Sequence, residues 1–371
     1  MSSLLAATRF SVLDRSRTRE GHDGPQALRD TVSLAQEAER LGYHRFWVSE
    51  HHGVPGVAGS APTVLAAAVA AATTSIRVGT GGVMLPNHRP FVVAEQFGVL
   101  AALFPGRIDM GLGRSLGFTE GVRRALGHGK EEAEDFPGRL AELLGWIDGG
   151  QRVHPGVRAH PAEGLAVPAY VLAIGEGASV AAAAGLPLVI GDLRGREKML
   201  RAIETYRRGF RPSSRSERPE VIVAGTVAVA GTQEAARRLL MPEAWAMAHS
   251  RTRGVFPPLA PAERVERLPM PARERRLYEQ GLDGHVHGTE AQVTEQLEKA
   301  LKETGADEVL VTTSTYDREA LIDSLRRLAR ITGLRAGDSA PGADGSTGVR
   351  RSAVLAEPGA PSERAPRRPQ G

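Results

Sequence analysis

Apolar residues along the chain fall into short runs of strand length separated by longer stretches of helical spacing. The strand-like runs are Phe10-Ser11-Val12-Leu13 ending at Asp14, within a first strand expected from Leu4, then Tyr43 to Ser49, Ile76 to Thr80 and Arg107 to Arg114. Ala169 to Ile174, Leu186 to Ile190, Val221 to Ala230 and Asp307 to Thr313 complete the set. After Gly24-Pro25, Leu28, Val32, Ala35, Ala38 and Leu41 recur at the helical period, and Gly42 ends that helix. Further helices are expected at Pro62 to Ala72, Phe91 to Leu103, Phe136 to Ile147, Ala178 to Ala184 and Lys198 to Phe210. The last two run from Gly288-Thr289-Glu290 to Thr304 and from Arg318 to Ile331. Thr232 reads as the cap of one more helix, and the proline-bearing stretch Pro242 to His287 reads as an irregular insertion at a barrel mouth.

Strands alternating with helices predict a parallel sheet. About eight such units over roughly 330 residues predict an α/β protein of the (β/α)₈ TIM-barrel type rather than an open doubly wound sheet. No GxGxxG opens a helix after the first strand, which argues against a dinucleotide fold. From Gly333 onward the chain is Gly, Pro, Ser, Ala and Arg with almost no large apolar residue, a composition that cannot offset its ordering entropy. The expected organisation is a barrel over residues 1–335, with the insertion before its last helix-strand unit, and a disordered tail over 336–371.

Composition narrows the function classes. Of 371 residues, 47 are basic and 43 acidic, a net charge of +4 spread without a basic stripe, so nucleic acid is not an expected partner. There is no cysteine, which removes disulfides, thiolate catalysis and Cys-ligated zinc. No apolar run is long enough to span a bilayer, and Leu4 to Ala7 is too short for a signal-peptide core, so a cytoplasmic protein is expected.

The chemistry-bearing stretch is Tyr43-His44-Arg45-Phe46-Trp47-Val48-Ser49-Glu50-His51-His52. It starts as a buried strand and ends in a carboxylate and two imidazoles, at the strand end where barrels carry their chemistry. Strand-end capping is the alternative role for the histidines. Gly79-Thr80-Gly81-Gly82 suits either a bulge or the close approach of a ligand or another backbone. Arg114 directly follows a strand, where a guanidinium suits phosphate or a surface ion pair. Gly175-Glu176-Gly177 precedes a helix whose N–H groups could meet a phosphate, although the Glu176 carboxylate would repel it. His285 and His287 lack a third ligand in the sequence pattern, so no metal is expected.

Three segments carry a family resemblance. They are Glu50-His51-His52 with Ser60-Ala61-Pro62, Val78-Gly79-Thr80-Gly81-Gly82-Val83-Met84-Leu85-Pro86-Asn87-His88, and Pro105-Gly106-Arg107-Ile108-Asp109-Met110-Gly111-Leu112-Gly113-Arg114. Together they resemble the bacterial luciferase-like flavin-dependent monooxygenases, nearly continuously from Ser11 to about Gly127 and again near Ala184, Gly288 and Thr304. The resemblance implies a barrel that takes reduced FMN from a separate flavin reductase and uses O₂ to oxidise a small organic or polyketide-like substrate of secondary metabolism. It implies His51 as the proton-handling group beside the flavin, with Glu50 and His52 orienting it. It places Gly81-Gly82 behind the flavin ring, at a non-proline cis peptide. It assigns the phosphate to Arg114 and, at a strand-five loop that lacks the serine pair of many relatives, to Glu176, Gly177 and Ser179. A homodimer is expected. Two alternatives stand beside this reading: a deazaflavin-dependent oxidoreductase of the same superfamily, and a non-catalytic flavin-binding partner subunit.

Overall fold

The computed structural model describes residues 3–117, 119–127, 134–173, 175, 177–191 and 196–337. Eight parallel strands close into a barrel: β1 (Arg9–Asp14), β2 (Arg45–Val48), β3 (Arg77–Thr80), β5 (Ile108–Gly113), β6 (Ala169–Ala173), β7 (Leu188–Gly191), β8 (Val221–Gly225) and β11 (Glu308–Val311). Closure comes from the pairing of β3 with β5, and β4 (Val83–Met84) continues β3 along β5. The helices between these strands are α2 (Gly24–Arg40), α3 (Pro62–Ala72), α4 (Pro90–Leu103), α6 (Phe136–Asp148), α7 (Gly177–Ala184), α8 (Arg196–Gly209), α12 (Glu290–Thr304) and α13 (Arg318–Thr332). Among the described residues no helix is long and apolar enough to cross a membrane.

The period-2 alternation sorts side chains between the two faces of each strand. Phe10, Val12, Phe46 and Val48 join the main core, which also takes the apolar stripes of the surrounding helices. Leu13, Trp47, Tyr170, Val189, Ile222 and Leu310 form a separate cluster filling the barrel interior. Local signals fix the helix ends. Asp23 accepts the Gln26 N–H at 2.7 Å to start α2, and Gly42 stops it at φ 84°, where a Cβ would lie 2.2 Å from the Arg335 carbonyl oxygen. Thr289 and Gln292 form a capping box at the start of α12.

Three expectations are corrected. The stretch Pro242 to His287 is not irregular. Helix α9 (Gln233–Arg253) runs straight through Pro242, followed by α10 (Ala262–Arg267), α11 (Ala272–Leu282) and β10 (Val286–Gly288). Pro261 and Pro271 are the caps of α10 and α11, so these prolines start helices rather than break them. The seventh strand ends at Gly225, because β9 (Val227–Val229) leaves the barrel to pair with β10, while Thr313 Oγ1 accepts from Val227 N and donates to its carbonyl. Residues before β1 form a helix, α1 (Ser3–Ala7), and a short α5 (Glu120–Leu126) follows β5. The tail from residue 338 onward lies outside the described residues.

Helices α9–α11 bury their own cluster, including Leu239, Leu240, Trp245, Leu259 and Tyr278. The chain between α9 and α10 straps the loops that follow β1 and β2: Gly56 N donates to Phe256 O, Leu259 N to Thr18 O and Glu20 N to Leu259 O. The insertion therefore packs at the carboxyl ends of the strands.

Candidate active site

Strand β2 carries opposite chemistry at its two ends. At its start, Arg45 is 1% exposed and its guanidinium lies 2.9 Å from both Asp109 and Glu308, with Tyr170 Oη accepting at 2.7 Å. Arg77 at the start of β3 joins Asp109 at 2.5 Å, and Trp47 Nε1 donates to the same carboxylate at 3.1 Å. Burial pushes the Asp109 carboxyl up, but Arg77 and Arg45 outweigh it and hold it below the ordinary range. These residues close the amino-terminal floor of the barrel.

Past the other end of β2, Glu50 is 3% exposed and holds three donors. Its Oε1 is 2.6 Å from His52 Nε2 and 2.8 Å from His88 Nε2, and its Oε2 accepts Met84 N–H at 2.8 Å. Burial again works against the charge, and the bonds from His88, Met84 and His52 together with the His88 charge leave its pKa lowered. Glu50 thus ties the end of β2 to the segment after Gly81-Gly82 rather than to His51. The ligand atoms of Glu50, His52 and His88 all lie within 4.8 Å of one another, a trio able to hold a metal ion, though their present spacing is that of hydrogen bonds. His285 and His287 take no part in it and face backbone carbonyls instead.

His51 is separate from that network. Its N–H donates to Gly59 O at 2.8 Å, and its Nδ1 meets Ser49 Oγ at 3.2 Å. Among the described residues no protein hydrogen bond reaches its Nε2. Burial, reinforced by Arg15 and Arg17, pushes its pKa down to about 4. The imidazole is therefore neutral at neutral pH, a proton acceptor rather than a donor. The two arginines come from the loop after β1, more than thirty positions away in the sequence, and left no local signal at His51.

The glycine wall and the phosphate end lie on neighbouring strands. The Gly81–Gly82 peptide is cis. A Cβ on Gly81 would lie 2.4 Å from Leu13 Cδ1, and one on Gly82 would lie 2.7 Å from Gly111 O. Close approach of protein atoms accounts for both glycines. In contrast, a Cβ on Gly113 would meet only Val83 O at 3.9 Å, and one on Gly191 would meet nothing within 4 Å, so the ends of β5 and β7 leave room at the mouth. Arg114 follows β5 and is exposed; β6 pairs with β5 and leads to α7, whose first turn holds Gly177 and the exposed Ser179. Glu176 lies outside the described residues. Lys198 of α8 reaches over Gly175, its Cε 3.3 Å from a Cβ built there. Arg114 and Lys198 thus follow the ends of β5 and β7, on either side of the strand that leads to α7. Lys198 had no signal in the sequence, and the pairing of His88 with Glu50 had none either, because each reaches its partner from a different unit.

A closed (β/α)₈ barrel with a histidine and carboxylate cluster at the carboxyl ends of its strands is the class this architecture defines. The chain belongs to the luciferase-like monooxygenase family, whose model matches residues 8–308. It is 36% identical over 319 residues to a luciferase-like monooxygenase of Escherichia coli strain K12, covering 85% of this chain and 94% of that protein. Among solved structures it is similar to apo-MsnO8, with 31% identity, a TM-score of 0.79 and coverage of 88% of this chain and 99% of that one. The oxygenating constituent of 3,6-diketocamphane monooxygenase from Pseudomonas putida, solved with FMN, shares the fold at 18% identity and a TM-score of 0.67, with 88% and 98% of the two chains covered. An F420-dependent secondary alcohol dehydrogenase shares it at 17% and 0.64, with 88% and 99% covered.

Proposed function

We propose that this protein is a monooxygenase that uses reduced FMN, delivered by a separate reductase, and O₂ to oxidise a small organic substrate at the barrel mouth. The observation that carries the reading is the neutral, half-buried His51 at the mouth with its Nε2 unengaged by protein among the described residues. Arg114, Lys198 and the first turn of α7 at Gly177 and Ser179 would hold the phosphate, and the Gly81-Gly82 segment would back the ring. Reduced FMN supplies the two electrons that activate O₂. The protein's own part is to bind, orient and move a proton. Ser49 fixes the His51 ring through Nδ1, which leaves Nε2 to accept a proton released beside it. Glu50, held by His52 and His88, keeps the glycine segment in register through Met84 N–H, a positioning role. The strap from α9 to α10 holds the loops that follow β1 and β2, and so the surroundings of His51, in place.

The test mixes pre-reduced FMN and isotopically labelled O₂ with the protein and a panel of thioethers, ketones and phenols, and reads label in the products by mass spectrometry. Label that appears with the parent and fails with His51→Ala supports the reading. Consumption of reduced deazaflavin without label transfers the protein to the hydride-transferring class. Failure with both cofactors leaves a non-catalytic flavin binder.

A further inference from the structure

Two arginines from the loop after β1 meet one carboxylate from α9 beside His51. Arg15 Nη1 is 3.0 Å from Glu243 Oε1, and Arg17 Nε is 3.4 Å from Glu243 Oε2. Neither contact has hydrogen-bond geometry. Both Glu243 oxygens, Arg15 Nε, and Arg17 Nε and Nη2 are buried without a hydrogen-bond partner. Arg17 is 2% exposed, its guanidinium stacks 4.2 Å from the Phe256 ring centre, and only its Nη1 is satisfied, by Gly56 O at 3.1 Å. Leaving such donors unpaired is costly, and native proteins rarely do so without a reason.

The charges here do not balance. Nearby Asp30 is matched by Arg318 at 2.8 Å and Arg19 at 3.4 Å, and Asp14 accepts from Thr31 Oγ1. Glu243 is the one carboxylate in ion-pair contact with Arg15 and Arg17, Asp14 adds a weaker attraction to Arg17, and His51 is neutral. Burial of this excess pushes the Arg17 guanidinium down to about 10, the reverse of the strengthening that Arg45 receives at the floor. Between the two arginines, Ser16 has φ 50°, the only non-glycine residue with positive φ among the described residues. Backbone held in that region is a common feature of ligand clamps.

We propose that Arg15 and Arg17 are the anion-recognition end of the substrate pocket, and that the substrate carries a carboxylate which supplies the missing partners of Arg17. Glu243 is the internal counter-ion that occupies the pair until the substrate enters. The inference rests on the proposed oxidation beside His51 only in naming the ligand a substrate. An anionic oxygen at this pair has a second possible source, the cofactor phosphate, for which Arg114 on a different strand is the proposed holder.

The test titrates the protein calorimetrically with 4-phenylbutanoate and, separately, with the isosteric neutral 4-phenylbutanamide, both without flavin and with saturating oxidised FMN. The acid should bind about tenfold or more tightly than the amide, the scale of one charge-assisted hydrogen bond. Arg17→Gln should erase that preference. Glu243→Gln, which removes the competing carboxylate, should tighten the acid and leave the amide unchanged, and it covers the case in which Arg17→Gln fails to fold. Equal affinities for acid and amide, no binding of the acid to Glu243→Gln, or weaker binding of the acid by that variant would each overturn the proposal. The FMN and riboflavin affinities of Arg17→Gln should keep the parent ratio; a loss confined to FMN would reassign the pair to the cofactor phosphate. The titration reads binding without turnover, so its result is decided separately from that of the oxygenation assay.

Discussion

The floor and the mouth of this barrel bury similar groups and treat them in opposite ways. At the floor, Arg45 and Arg77 face Asp109 and Glu308, and Arg9 adds Glu220 at the rim. Cations and carboxylates match in number there, although Arg45 Nε and both Glu308 oxygens make ion pairs without hydrogen bonds as at the mouth, and the guanidinium of Arg45 is strengthened by its surroundings. At the mouth, two arginines share one carboxylate and a histidine is kept neutral. A matched buried network holds a structure together, because losing one partner strands the other charge. An unmatched one leaves binding capacity for a ligand. The same barrel interior therefore separates a structural end from a chemical end.

The comparison breaks first if the floor is not structural. Arg45→Ala leaves Asp109 and Glu308 without their shared cation, and should cost about 3–5 kcal/mol. Urea unfolding followed by tryptophan fluorescence checks this, and a midpoint within error of the parent would show that the floor network contributes nothing. His51→Ala tests the other end. It should lower single-turnover oxidation by pre-reduced FMN about 10²-fold or more while leaving the unfolding midpoint nearly unchanged. A parallel loss of stability and rate would make His51 a structural residue like those of the floor.

A pH titration compares the ends within one molecule, since each has a depressed histidine. Burial first, then Arg45, pushes His44 down to about 4 at the floor; burial first, then Arg15 and Arg17, does the same to His51 at the mouth. In the unfolded chain both imidazoles have the ordinary value of about 6.5, so acid protonates the unfolded state first. Stability should be undiminished above that value, fall as pH drops from 6.5 toward 4, and lose roughly 1–2 kcal/mol per histidine by pH 5. Depressed carboxylates such as Asp109 and Glu243 contribute stability above their unfolded values and lose it only at lower pH. His44→Gln and His51→Gln should each flatten the upper part of the curve. An unfolding midpoint that stays level between pH 7 and 5 would contradict both shifts.

The barrel was largely legible in the sequence; the ion network of its floor was not, and the mouth was legible only in part. Alternation of apolar residues and turn signals are local, so the eight strands and most helices followed from them. Glu50, His51 and His52 stood out because they end a strand. Their partners did not, because contact between residues far apart in sequence leaves no local pattern. Glu243 lies 226 positions after Arg17, in a segment whose prolines read as breaks. Pro242 is instead buried inside α9, and the helix it belongs to carries the carboxylate into the mouth. His88 meets Glu50 across 38 positions, so the carboxylate's role as a tie between strands, rather than as an aid to His51, needed the fold.

The smallest expected effect sharpens the division within the mouth itself, between its substrate end and its cofactor end. Arg114 follows β5 and is exposed, so solvent weakens whatever it contributes, and in the proposed site Lys198 and the first turn of α7 would share the load. Arg114→Ala should weaken FMN about tenfold at moderate salt, the lower end for one charge-assisted hydrogen bond. Lys198→Ala should do so by less, since a lysine is a more mobile point charge than the guanidinium fork. Riboflavin shares the ring and lacks the phosphate, so its affinity should be nearly indifferent to either change. Fluorescence quenching of the two flavins, measured on the same preparations, reads the difference directly. Equal losses for FMN and riboflavin would mean that Arg114 supports the loop after β5 rather than a phosphate. In that case the Arg15 and Arg17 pair would be the cationic site left at the mouth for the anionic end of the cofactor, and the separation of substrate and cofactor ends would fail.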